Sequence, residues 1–114
     1  MLDLRKQIRK WCIEYKIDCD DIIPIYQWID EHTLGITYFK RDIVGCRICD
    51  IKITDVFMDY EIASKAVLWH EFCHAEKWLK DGKTDGHVMR GMVDCVESLF
   101  FSYWIISIHR YYLQ

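Results

Sequence analysis

His70 and His74 stand four residues apart in LWHEFCHA, residues 68–75, a run whose other positions apart from Glu71 are all apolar. On an α-helix four residues turn through about 400°, so both imidazoles leave the same face one turn apart. Trp69, Phe72 and Ala75 flank them and would bury such a helix. The chain must therefore fold so as to cover a helix that carries polar chemistry inside an apolar surface.

That spacing lets two ring nitrogens reach one ion at ~2.0–2.1 Å. Glu71 lies one residue on, about 100° around the helix, where its carboxylate can approach an attacking water without ligating the ion. This is the HExxH arrangement, with Glu71 as general base and His70 and His74 as zinc ligands. A catalytic zinc takes three protein ligands and keeps one position open. The third is His87 or an acid further on. His87 follows a Gly- and Asp-rich loop, Asp81–Gly86, at the start of a last helix, where a reversing chain returns toward the middle of the zinc helix. His87, Gly91 and Asp94 share a helical face, and Gly91 allows close approach of two helices. Asp94 and Glu97 are the rival ligands. His87 is preferred because neutral imidazole suits zinc and a residue at a loop end is easier to aim. Arg90, Tyr103 and Tyr60 are the donors available to an oxyanion, with nothing in the sequence to choose among them.

The remaining texture places this helix in an α+β chain. Leu4, Ile8, Trp11, Cys12 and Tyr15 recur at helical spacing over residues 2–17, and DCDD at Asp18–Asp21 ends that helix. Gly35–Lys40 and Ile43–Thr54 alternate as strands, with Arg41–Asp42 as the turn between them. Ile22–Glu31 fits a strand and a short helix equally well. Asp59 reads as an N-cap, with Glu61 and Ile62 opening the helix that carries the histidines. A last helix is expected from about Val88 to Tyr112. The predicted order is an N-terminal helix, a short antiparallel β-meander, the HExxH helix and a C-terminal helix.

A length of 114 residues makes this one domain, residues 1–114. The net charge of −3 exerts no general pull on nucleic acid. Arg5, Lys6, Arg9, Lys10 and Lys16 read as a solvated helix face, diluted by Asp3 and Glu14. The N-terminus lacks the layout of a secretory signal. The longest apolar run, Leu99–Ile108, is half the ~20 residues that span a bilayer. A soluble cytoplasmic protein with reduced thiols is expected, and no membrane association. The single CxxC, Cys46–Cys49, would point its thiols to opposite faces of a strand and reads as packing.

Leu34–Cys46, Cys49–Phe57, His70–Ala75 and Asp85–His87 together resemble, in order, the SprT-like zinc metallopeptidases. The resemblance covers roughly residues 30–95 and implies a minimal zincin-like domain without the C-terminal zinc ribbon of many members. It implies zinc on His70, His74 and His87, Glu71 as the catalytic residue, and hydrolysis of a protein or peptide substrate. DNA association is implied by the resemblance alone. In zincin-like folds an extended substrate commonly lies along an edge strand, and Asp50–Phe57 is the candidate here. The alternative reading is a structural or binding module of a larger assembly with no or vestigial activity. Residues 98–112 are apolar on nearly every side, so self-association or docking on another protein is expected through that helix.

Overall fold

The computed structural model describes residues 1–84. His87, Arg90, Asp94, Glu97, Tyr103 and the apolar segment 98–112 lie outside the described residues, and with them the expectations placed there.

Helix α1 (Leu4–Tyr15) begins where Asp3 accepts a hydrogen bond from the Lys6 amide at 3.1 Å. That satisfies one of the donors a helix start leaves open. It stops at Lys16, a left-handed residue whose amide returns to the Cys12 carbonyl. Leu4, Ile8, Trp11 and Cys12 are its buried stripe, while Arg5, Lys6, Arg9, Lys10 and Lys16 are exposed. The basic cluster is thus the solvated face of an amphipathic helix.

A short 3-10 turn at Cys19–Asp21 leads into strand β1 (Ile22–Tyr26), so the first half of the ambiguous Ile22–Glu31 segment is strand and the rest is neither strand nor helix. Strands β2 (Gly35–Arg41) and β3 (Arg47–Ile53) follow. The sheet order is β1-β3-β2, with β1 parallel and β2 antiparallel to β3. The expected antiparallel meander is therefore a mixed sheet. The reason lies in the burial pattern of β3, whose Cys49, Ile51 and Ile53 are at most 1% exposed. A strand this apolar on its inner face belongs at the centre. Pro24, which cannot donate to a ladder, keeps β1 at an edge.

The β2–β3 turn also differs from the sequence reading. Residues 43–46 alternate like a strand, yet Asp42 Oδ1 accepts from the amides of Val44 at 3.0 Å and Cys46 at 2.8 Å. Gly45 adopts a φ of 91°, open to glycine without strain. A local Asx-type turn thus replaces the ladder over those residues. Cys46 is exposed in that turn and Cys49 is buried in β3, so the CxxC pair does part as expected.

Helix α2 (Glu61–Asp81) follows a second 3-10 turn, Asp55–Phe57. Its N-cap is Tyr60, without a side-chain cap bond, rather than Asp59. The start is instead pinned by Ser64, whose hydroxyl donates to the Phe57 carbonyl at 2.6 Å. Residues 66–72 are buried without interruption, almost two turns of helix with no solvent face. Cover comes from β2 and β3 on one side and α1 on another. Trp11 meets Trp69 edge-on at 4.8 Å and Phe72 at 5.4 Å, and Tyr15 lies 5.6 Å from Trp69. Such aromatic pairs add about 0.5–1.5 kcal/mol each beyond the area they bury. The described residues thus form an α+β arrangement with α1 and α2 on one face of the sheet. No helix among the described residues is long and apolar enough to cross a membrane.

Candidate metal centre

Helix α2 brings the first two predicted ligands together. The His70 and His74 rings have centroids 5.1 Å apart at an interplanar angle of 74°. His70 is buried and His74 half-buried, so the pair runs from the core toward the surface. Two imidazoles one turn apart on one face suit a shared ion. The donor chemistry of this pair is of the kind zinc takes, and among the described residues no third ligand-type side chain joins it.

Glu71 is buried beside them and turns toward β2. Its Oε1 accepts from the Thr37 hydroxyl at 2.9 Å, and the same hydroxyl lies 3.1 Å from the Glu71 backbone carbonyl. A hydroxyl has one proton, so Thr37 donates to one of these oxygens at a time. Burial pushes the Glu71 carboxyl from its ordinary 4.5 up to about 7, and the Thr37 bond pulls weakly the other way. Desolvation wins because the carboxyl is nearly sealed from water while, among the described residues, a single hydroxyl stabilises its charge.

Gly35 makes the room. A Cβ at that position would stand 2.6 Å from Val67 Cγ1, 3.1 Å from Glu71 Cγ and 3.3 Å from Glu71 Oε2. Glycine here is a matter of space, since β2 and α2 approach too closely for any side chain. Neither Gly35 nor Thr37 was singled out by sequence reasoning. The only trace was a glycine opening an alternating strand, which can mark close backbone approach.

The register of β2 shows what faces outward. Thr54 donates to the Leu34 carbonyl at 2.8 Å and Asp42 to the Cys46 carbonyl at 2.9 Å. Hydrogen-bonded pairs alternate in an antiparallel ladder, so residues 36, 38 and 40 direct their backbone groups to β3. Gly35, Thr37 and Phe39 direct theirs to the other edge, which is unpaired among the described residues. The residues whose side positions face α2 are thus the ones whose backbone is open.

No protein-family model, curated protein or solved structure matches the chain.

Two expectations are corrected by position. Asp50–Phe57 is no edge, because β3 is paired on both sides and its end runs into the turn before α2. Tyr60, at the N-cap of α2, sits ten residues before His70, about 15 Å along the helix axis, and is removed from the oxyanion donors. Cys73 is half-buried against the core, as expected of a packing residue. Among the described residues, Asp18, Cys19 and Asp20 also bring three ligand-type atoms together. They are consecutive, and Asp18 accepts from the Asp20 amide at 3.0 Å, so the turn itself accounts for their proximity.

Proposed function

We propose that this chain is a zinc-dependent endopeptidase of the SprT-like kind. The observation that carries the reading is a buried carboxyl, Glu71, beside two imidazoles one helical turn apart. His70 and His74 would hold zinc, with His87 as the third ligand and Asp94 or Glu97 as its replacement. Zinc, when bound, lowers the pKa of a water from ~15.7 toward ~7 and polarises the scissile carbonyl. Glu71 takes a proton from the attacking water and delivers it to the leaving amine nitrogen. Burial raises the Glu71 carboxyl above its ordinary range in the metal-free chain, which makes it a stronger base toward that proton.

The outer edge of β2, unpaired among the described residues, is the place for an extended polypeptide. Backbone groups of Gly35, Thr37 and Phe39 would pair with it by strand addition, bringing its amide bonds past Glu71. The substrate class is therefore unfolded or extended protein rather than a compact small molecule.

Metal analysis and hydrolysis together test the reading. The wild-type chain should carry about one zinc, as expected for a three-ligand site, and cleave an unstructured protein. His70→Ala and His87→Ala should lose most of the metal, and Glu71→Gln should keep the metal and lose hydrolysis. A wild-type chain that binds zinc but cleaves nothing would point to the structural-module alternative. Full zinc retention in His87→Ala would move the third ligand to Asp94 or Glu97.

A further inference from the structure

We propose that Thr37 is a positioning residue that sets the orientation of the Glu71 carboxylate from the strand proposed to bind substrate, in a slot that Gly35 keeps open. Its kinetic consequence rests on the peptidase reading; the positioning itself does not.

Three observations converge on it. The first is the bond from the Thr37 hydroxyl to Glu71 Oε1 at 2.9 Å. Glu71 sits on α2 and Thr37 on β2, far apart in the chain, so the bond exists only because the sheet packs on the helix. The second is the space at Gly35, where an added Cβ would press on both Glu71 Cγ and Oε2. One oxygen is held by a donor and the other lies in a gap that a methyl would fill. The third is the ladder parity, which gives Thr37 an outward-facing backbone and an α2-facing side chain at once.

A buried glutamate has three side-chain torsions, and a base must be held close to the productive geometry to be useful. Without the Thr37 donor, the polar group nearest the carboxylate on β2 is gone, and the carboxylate swings. The backbone of the same residue is among those that would pair with an extended peptide. A peptide on that edge therefore fixes the residue that fixes the base. This couples substrate seating to base alignment through a single strand position. The slot is narrow enough that enlarging Gly35 would disturb the same alignment.

The test uses the full chain with Thr37→Val, which keeps the side-chain shape and deletes the donor, and Thr37→Ser, which keeps the donor. Carbon-13 resonances of the glutamate carboxyls are recorded for each, the Glu71 signal being identified by its loss in Glu71→Gln. The Glu71 signal should move in Thr37→Val and stay near its wild-type place in Thr37→Ser. An unmoved signal in Thr37→Val overturns the proposal, whether or not the chain cleaves anything. In hydrolysis of an unstructured protein, kcat should fall by roughly 10- to 100-fold in Thr37→Val, the scale of a misplaced group. KM and zinc content should hold, and Thr37→Ser should recover most of the rate. A moved signal with wild-type kcat would overturn the catalytic part, as would a loss that appears in KM alone. Absence of hydrolysis in the wild type would sink the peptidase reading, leaving the resonance shift to decide the positioning.

Discussion

Strand β2 meets helix α2 at two places, and they are built from opposite materials. At Gly35 and Thr37 the contact is thin: no side chain, then one hydroxyl, set against a buried carboxyl. At Phe39 and Arg41 it is thick. The Phe39 ring lies 5.6 Å from Trp78, and the Arg41 guanidinium sits 5.2 Å above the same indole. Neighbouring β3 strengthens this end, where Trp78 Nε1 donates to the Ile48 carbonyl at 2.9 Å. Arg47 donates to the carbonyls of Leu79 and Lys80 at 3.2 and 3.4 Å, satisfying acceptors that the end of α2 leaves open. The comparison teaches where this pairing is anchored. The Trp78 end holds strand on helix, and that lets the other end keep a desolvated acid that by itself opposes folding.

Truncating the anchor should have the largest effect. Trp78→Ala removes a buried indole with its hydrogen bond, and large-to-small changes of this kind cost about 3–5 kcal/mol. Urea unfolding measures it. A loss below about 1 kcal/mol, within the range of an ordinary surface change, would break the contrast between the two ends.

Glu71→Gln comes next, with the opposite sign. The folded chain holds the Glu71 proton more tightly than the unfolded chain does, about 7 against 4.5. Stability is therefore fully present below the unfolded value and falls as pH rises between the two. The gap corresponds to about 3 kcal/mol. In metal-free protein, Glu71→Gln should be more stable than wild type by up to about that much at roughly pH 8, and nearly equal to it at about pH 4. Thermal unfolding across that range checks it, and a pH-independent difference would mean that the carboxyl is not the strained element.

Gly35→Ala is the smallest of the three. Overpacking of a tight contact costs about 1–3 kcal/mol, and the nearest obstacle is Val67 Cγ1, a branched atom with little freedom. Denaturant unfolding should show the loss, and the Glu71 carboxyl resonance should shift with it. A neutral Gly35→Ala would show that the two elements can part at this end without penalty.

Much of this was legible along the chain, and the misses share a cause. Helix α1 was expected over 2–17 and spans Leu4–Tyr15; the strand expected at Gly35–Lys40 spans Gly35–Arg41. Periodicity finds such elements because burial of one face repeats locally. The strand expected from Ile43 starts at Arg47, since apolar alternation there yields to the hydrogen bonds of Asp42. Asp59 had the right side chain for a cap, but Ser64 pins the helix start from within.

That a helix carries His70, Glu71 and His74 can be read along the chain, because their order within an apolar run follows from helical period and burial alone. So can the presence of strands before that helix. Tertiary packing alone puts β3 at the centre of the sheet, leaves the outer side of β2 unpaired among the described residues, and brings Gly35 and Thr37 against Glu71. Strand order is a property of pairing between distant segments. A contact between residues 34 positions apart leaves no local pattern to read. The same holds for the acidity of Glu71, since a pKa is set by the solvent and neighbours that folding removes or supplies.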